Sequence, residues 1–142
     1  MVERVSYLYF SQMLRRPLLY LWVFPTSCLG LIALVLGSVR GRVHTQVVDG
    51  VLELHGDWIR FFLSQCTLLP GGASAMTLGH VVLGCDPLLL DMTREHERVH
   101  VRQCERWGPM FVPAYLFLSL LAWMSGKDAY RDNPFEREAY GR

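Results

Sequence analysis

An uncharged stretch at residues 17–37 constrains the fold of this chain most. It reads P-L-L-Y-L-W-V-F-P-T-S-C-L-G-L-I-A-L-V-L-G. A helix of about 20 apolar residues is long enough to cross the hydrocarbon core of a bilayer. Pro25 lies inside the stretch, which membrane helices tolerate, and Tyr20 and Trp22 lie near one end, as interfacial aromatic residues do. The sequence therefore predicts an N-terminal transmembrane helix.

The residues around this stretch favour an uncleaved anchor. Residues 1–16 have apolar residues at helical spacing and predict an amphipathic interfacial segment. A cleaved signal peptide is the alternative, but the long lead and the poor cleavage site argue against it. Half of the residues, 51%, are hydrophobic, which also indicates membrane contact. We expect membrane lipid as a partner and a bacterial inner membrane as the location. The net charge of +1 gives no reason to expect nucleic acid.

The segment after the anchor predicts strands with one short helix. Residues 43–56 alternate around Asp49-Gly50, a strong type I′ hairpin signal. Residues 57–69 predict a short apolar helix that ends at Pro70-Gly71-Gly72, and residues 74–84 predict one strand. A strand just before a metal-binding helix could pair with an extended peptide substrate. His80 on this strand is expected to be a surface histidine, with a role near the metal as the alternative.

The segment Arg94 to Gln103 contains His96-Glu97-Arg98-Val99-His100, a complete H-E-x-x-H. Two histidines at i and i+4 on a helix point to one side, so both imidazoles can reach one metal ion. Glu97 lies beside that face, where it can reach a water on the metal. The buried stripe is expected at Met92, His96, Val99, His100, Gln103 and Trp107. The outer side is expected at Arg94, Arg98, Val101, Arg102, Glu105 and Arg106. Asp91 or Thr93 is expected to cap the helix, and Gly108-Pro109 to end it.

The four cysteines have no metal-ligand spacing. Cys28 is expected to pack as a small hydrophobic residue, and Cys66 could pair with Cys85 in an oxidising compartment. Cys104 lies about 12 Å along the helix axis from His96, too far to share one ion with both histidines. We therefore expect Cys104 to pack in the core.

The last third of the chain contains an apolar helix and a candidate third ligand. Residues 109–124 are uncharged but short for a membrane span, and they predict a shallow membrane helix or a core helix. In the tail D-N-P-F-E-R-E-A-Y-G-R, Asn133 suits an N-cap and Pro134 the first helical position. Glu136 then falls at N3, where it could serve a capping box, and Glu138 is the next candidate ligand.

H-E-x-x-H followed by a glutamate on a later helix resembles the gluzincin metallopeptidases. Phe135-Glu136-Arg137-Glu138-Ala139 also resembles the F-E-x-x-A-D pattern of the CAAX-processing and heat-shock membrane zinc peptidases. This resemblance implies Glu136 as the third zinc ligand. It also implies an aspartate that supports a zinc-binding histidine, but Tyr140 stands at that position. The motifs are also similar to H-E-x-x-H-x-x-Q and N-P-F-E-x-E-A-Y in small bacterial membrane proteins, which implies no particular substrate.

These observations predict an α+β protein with an N-terminal transmembrane helix, a small antiparallel sheet and minimal gluzincin-like metal-binding helices. Residues 1–42 would form the amphipathic segment and anchor, and residues 43–142 the gluzincin-like domain. The expected function is zinc-dependent hydrolysis of a peptide or protein substrate. The alternative is a non-catalytic membrane interaction or assembly protein with a structural metal site. The candidate donors to the transition state are Tyr140, Tyr130, Tyr115 and His80.

Overall fold

The computed structural model describes residues 2–65, 67 and 71–141, with side chains described from residue 16 onward. It is an α+β fold. The helices are α1 Val2–Arg40, α2 Asp57–Gln65, α3 Pro87–Trp107, α4 Phe111–Met124 and α5 Pro134–Ala139, and a 3-10 turn, Gly108–Met110, joins α3 to α4. The strands are β1 Val43–Val48, β2 Val51–Gly56, β3 Ala75–Leu78 and β4 Val81–Gly84.

The four strands form a mixed sheet in the order β1-β2-β4-β3. The β1–β2 hairpin has the predicted two-residue turn, and both Asp49 (φ 50°) and Gly50 (φ 79°) have the positive φ that a type I′ turn requires. β2 and β4 run parallel, with Leu52 opposite Val81. The prediction of an antiparallel sheet was therefore wrong for the central pair. β3 lies between β2 and β4 in the chain and runs opposite to both, so β4 runs in the same direction as β2.

Residues 74–84 form a second hairpin, so the prediction of one strand was also wrong. β3 and β4 pair antiparallel, with Leu78 opposite Val81 across a turn at Gly79 and His80. Gly79 has a φ of 70°, and a Cβ there would lie 2.7 Å from the backbone nitrogen of Ser27 in α1. Glycine is needed both for the turn and for the close approach of α1.

Helices cover both faces of the sheet, as the alternation of side chains along the strands requires. One face packs against α1 and α2, and its buried cluster consists of Ala33, Leu54, Ile59, Leu63, Val81 and Leu83. The other face packs against α3 through Val51, Val82, Leu90 and Val101. A third cluster of Val23, Cys104, Phe111 and Phe135 joins α1, α3, α4 and α5. The H-E-x-x-H motif therefore lies on α3, which packs against the sheet on one side and against α1, α4 and α5 on another.

The helix with the H-E-x-x-H motif begins earlier than predicted. Asp86 is its N-cap and accepts a hydrogen bond from the backbone N–H of Leu89 at 2.8 Å, with Pro87 at the first helical position. The N-cap prediction of Asp91 or Thr93 was wrong. The predicted burial was also wrong at both ends of the stripe, because Met92 is 72% exposed and Trp107 46% exposed. Val101, predicted on the outer side, is buried by the sheet.

Helix α1 packs against the domain along one narrow face made of small residues. That face consists of Val23, Thr26, Ser27, Gly30, Ala33 and Gly37. A Cβ at Gly30 would lie 2.5 Å from the Cβ of Val81, and one at Gly37 would lie 2.8 Å from the side chain of Val43. The large apolar side chains face outward instead: Leu18, Leu21, Phe24, Leu29, Ile32, Val35, Leu36 and Val39. The helix is continuous through Pro17 and Pro25.

Two helical stretches of the described chain, Arg16–Arg40 and Pro87–Met124, are long and apolar enough to cross a membrane. A buried core helix or a signal sequence meets the same requirement. The outward face of α4 is also apolar, with Leu116, Phe117, Leu120, Leu121, Trp123 and Met124 exposed. Residues 109–124 are helical, as predicted, with their first residues in the 3-10 turn.

Candidate metal centre

The two histidines of the motif lie on one side of α3, with their Nε2 atoms 3.1 Å apart. The rings are 4.8 Å apart and nearly perpendicular. His100 is buried and His96 is partly exposed, with 16% of its side chain accessible. The i, i+4 spacing therefore brings both imidazole nitrogens to one point, as predicted from the sequence.

Helix α5 brings a carboxylate to the same point. The side-chain oxygen of Asn133 caps α5 by accepting a hydrogen bond from the N–H of Phe135 at 2.9 Å, and its amide donates to the carbonyl of Tyr115 on α4. Glu136 is 2% exposed; its Oε2 lies 3.2 Å from Nε2 of His96, and its Oε1 lies 3.2 Å from Nε2 of His100. The N-cap prediction is confirmed, while the carboxylate of Glu136 faces the histidines rather than closing a capping box.

The donor set fits a zinc ion. His96, His100 and Glu136 each offer one ligand atom, and these atoms all lie within 4.8 Å of one another. Bonds of about 2.0–2.1 Å to a tetrahedral zinc place neighbouring ligand atoms about 3.3 Å apart. The separations of 3.1 to 3.2 Å between the nitrogen and oxygen atoms here are close to that distance. Oε2 of Glu136 is also buried without a hydrogen-bond donor, which a cation would satisfy.

The surroundings of Glu136 keep it ionised. Burial alone would raise the pKa of its carboxyl, but the adjacent imidazoles of His100 and His96 and the hydrogen bond from Tyr115 together lower it to about 2. The Tyr115 hydroxyl donates to Oε1 at 2.7 Å. Metal ions bind the deprotonated carboxylate, so the site holds this side chain in the form that a ligand requires.

Glu97 lies beside the three ligand candidates but is held by a different element. Its Oε2 accepts a hydrogen bond from the Thr77 hydroxyl at 2.7 Å, and Thr77 is on strand β3. Both residues are buried. Thr77 contacts only Oε2 of this carboxylate among its side-chain oxygens, and Glu97 is not one of the three residues whose ligand atoms converge. No sequence pattern indicated Thr77 as part of the site.

Gln103 contacts both helices that carry candidate ligands, α3 and α5. Its Oε1 lies 2.8 Å from Nδ1 of His100, and its amide nitrogen donates to the carbonyl of Phe135 at 3.0 Å and to Glu138 at 2.9 Å. It is fully buried. The sequence placed Gln103 on the buried stripe without assigning it a role. Its position three residues after His100, on the same helix face, is the signal that could have indicated one.

Two tyrosines, Tyr130 and Tyr140, lie next to the candidate ligands. The Tyr140 ring lies 4.5 Å from the His96 ring, and its hydroxyl is 3.1 Å from that of Tyr130. Burial, the hydrogen bond with Tyr140 and the negative charge of Glu136 raise the pKa of Tyr130, so its hydroxyl remains a neutral donor. In the zinc peptidases that the tail resembles, an aspartate that supports a zinc-binding histidine is expected at this position. This chain has Tyr140 there, and its ring packs against His96.

The remaining candidates lie elsewhere. Glu138 pairs with Arg106 and Gln103, and these hydrogen bonds lower its pKa. His80 is buried and lies 3.1 Å from Glu105, so the prediction of a surface histidine was wrong. Its ring packs against Tyr20 rather than against the ligand cluster.

The cysteines of the described residues do not take part in the cluster. Cys104 packs among apolar side chains, as predicted, and Cys28, Cys85 and Cys104 are free thiols. Cys66 lies outside the described residues, and its possible pairing with Cys85 is not present in the structure, since Cys85 is a free thiol that donates to the carbonyl of Ala73.

Comparisons of the chain with protein-family models, curated proteins and solved structures found no match. The chemistry of the site is therefore argued from its own geometry.

Proposed function

We propose that this protein is a membrane-associated, zinc-dependent peptidase of a minimal gluzincin-like type, with His96, His100 and Glu136 as the zinc ligands. The observation that carries this proposal is the convergence of these three side chains with a fourth group, Glu97, held just outside the ligand set. Two histidines and one carboxylate leave a coordination position open, which is typical of catalytic rather than structural zinc sites. A bound zinc ion would lower the pKa of a water and polarise the carbonyl of the scissile bond.

Glu97 is the proposed general base. It would accept the proton of the attacking water and pass it to the leaving amine. The hydrogen bond from Thr77 ties one oxygen of the Glu97 carboxylate to strand β3. Tyr140 is the proposed donor to the developing negative charge, because its ring lies beside His96 and half of its surface is exposed. Tyr115 and Tyr130 are the other donors near Glu136, whereas the contacts of His80 are with Glu105 and Tyr20.

Strand β3 supports a peptide as the substrate. Among the described strands it lies at the end of the sheet and pairs only with β4. An extended peptide can add to such an edge through backbone hydrogen bonds. Because Thr77 on β3 contacts Glu97 directly, a peptide paired along this edge would pass close to the proposed base.

The outward faces of α1 and α4 support contact with lipid. Each carries large apolar side chains, while the inward face of α1 uses glycines to approach the sheet. Close packing through small residues is typical of helices in membranes. Since α1 packs along the domain, it would hold the metal centre at a fixed position relative to the bilayer rather than tether it loosely.

Replacing Glu97 with glutamine tests the enzymatic role. Glu97→Gln retains size and the hydrogen bond with Thr77 but removes the basic carboxylate, so the variant should keep its zinc while hydrolysis of a peptide library falls by about 10²-fold or more. Glu95→Gln, an exposed change on the same helix, is the matched control. Undiminished hydrolysis in Glu97→Gln would contradict the mechanism.

The second candidate function is a non-catalytic membrane assembly protein with a structural metal site. It is favoured by hydrogen bonds that already join the C-terminal segment to α3 and α4, which include those from Gln103 to Phe135 and from Asn133 to Tyr115. A metal ion would add one more tie between α3 and α5. This function predicts bound zinc, no hydrolysis by the parent protein, and no effect of Glu97→Gln.

A further inference from the structure

The amide of Gln103 makes three hydrogen-bond contacts in a site with no exposure to solvent. Its oxygen meets Nδ1 of His100, and its nitrogen meets the backbone carbonyl of Phe135 and the carboxylate of Glu138. A side-chain amide has two N–H donors and one acceptor oxygen. Both donors and the oxygen are therefore used, and no water is needed to complete them.

The chemistry of these partners determines which way the amide faces. A backbone carbonyl and a carboxylate can only accept hydrogen bonds, so the amide nitrogen of Gln103 must face Phe135 and Glu138. Arg106 also donates to the carboxylate of Glu138. The amide oxygen must then face His100. An oxygen 2.8 Å from Nδ1 requires a proton on that nitrogen. Nδ1 of His100 therefore carries a proton, which leaves Nε2, the nitrogen that faces Glu136 and His96, as the one that could bind a metal.

We propose that Gln103 is a positioning residue of the metal centre: it fixes His100 in the Nδ1–H form and ties it to the helix that carries Glu136. This inference rests on the proposed metal site. A metal-binding histidine is commonly oriented by a carboxylate or carbonyl that accepts a hydrogen bond from its other ring nitrogen, the one that does not bind the metal. In this chain the partner is an amide on the same helix, one turn after the ligand. The other end of the amide holds α5, so the same side chain sets the separation of two ligands.

The protonation of Nδ1 is measured directly by ¹H–¹⁵N NMR of selectively labelled histidine, in detergent micelles, with and without zinc. We expect a slowly exchanging proton on Nδ1 of His100 in both states of the wild-type protein. In Gln103→Met, which keeps the volume and removes the amide, that proton should exchange rapidly. Gln65→Met, an exposed change, should leave the signal unchanged. A wild-type His100 with no proton on Nδ1 would overturn the inference.

Zinc affinity gives the second readout, by competition with a chromogenic chelator. Gln103→Met should weaken zinc binding by about 10–100-fold, the usual effect of losing the partner of a ligand. Gln103→Glu places a carboxylate opposite two acceptors and should weaken binding as much. Adding Glu138→Gln supplies a donor again and should restore at least half of that loss on a logarithmic scale. Equal affinities for wild type, Gln103→Met and Gln103→Glu would refute the role.

The two readouts separate this inference from the proposed function. If the wild-type protein binds no zinc but Nδ1 of His100 carries the slowly exchanging proton, the hydrogen-bond assignment stands and the metal proposal fails. If zinc binds and Nδ1 lacks the proton, the metal site stands and Gln103 is not its positioning residue. Should Gln103→Met fail to fold, the comparison of Gln103→Glu with the double change Gln103→Glu and Glu138→Gln decides between them, because the second change restores one of the two donor–acceptor pairs.

Discussion

Replacing Glu136 or Glu138 with alanine should weaken zinc binding to very different extents. Both residues are on α5, two positions apart, and both are glutamates. The carboxylate of Glu136 contacts the Nε2 atoms of His96 and His100, whereas that of Glu138 contacts Arg106 and Gln103. Glu138→Ala is therefore a matched control that removes the same group from the same short helix without touching the ligand set.

The magnitude follows from the number of ligands. A zinc site with four ligands is worth about 10–16 kcal/mol, so one ligand contributes roughly 2.5–4 kcal/mol. At about 1.4 kcal/mol for each factor of ten, Glu136→Ala should weaken zinc binding by about 10²–10³-fold. Glu138 acts only through Gln103, so Glu138→Ala should cost no more than about 10-fold.

The assay is competition for zinc between the purified protein and a chromogenic chelator of known affinity. Thermal unfolding of the metal-free proteins checks that each variant folds, which matters because Glu136 is buried and accepts a hydrogen bond from Tyr115. Glu136→Gln, which keeps that hydrogen bond, is the variant to use if Glu136→Ala unfolds. Equal zinc affinity in the Glu136 and Glu138 variants would refute the assignment of Glu136 as a ligand.

Two further predictions concern stability and location. Glu53 is buried, and although burial would raise its pKa, hydrogen bonds from Arg94 and Gln46 lower it below the ordinary 4.5. Ionised Glu53 therefore stabilises the fold fully above its unfolded-state pKa, and this stabilisation is lost as pH falls through its folded-state pKa. Urea unfolding should show that the free energy of unfolding falls less between pH 5 and pH 3 in Glu53→Gln than in wild type. Helix α1 should keep the full-length protein in the membrane fraction after alkaline washing, and an N-terminus mapped near residue 38 would contradict that.

Local signals in the sequence were sufficient for several elements. Asp49-Gly50 identified the first hairpin because both residues tolerate positive φ, and Asn133-Pro134 identified the start of α5. The second hairpin was missed because the Gly-X pair Gly79-His80 lies in the middle of a continuous apolar alternation. A glycine with positive φ at the first central position nevertheless suits a two-residue turn. It is stabilised by the contact of Gly79 with Ser27 in α1, far away in the chain.

The three side chains of the candidate metal site could be predicted, but their supporting contacts could not. His96 and His100 followed from their spacing, and Glu136 from the resemblance of the tail. Thr77 contacts Glu97, 20 residues away, and Gln103 contacts Phe135, 32 residues away, and no local pattern indicates these two contacts. The contact of Gln103 with His100, three residues away, is the one that helical spacing could have indicated. Val101 was misplaced because periodicity identifies one buried face, while α3 is covered on two sides.

The metal content of the natively purified protein tests the central claim most directly. The proposed site predicts about one zinc ion per chain by elemental mass spectrometry of the membrane-extracted protein, and its loss in His96→Ala and His100→Ala. Native mass spectrometry of the same samples would show whether the metal and the chain occur one to one. A wild-type protein with no bound metal, together with unchanged folding in both histidine variants, would contradict the claim.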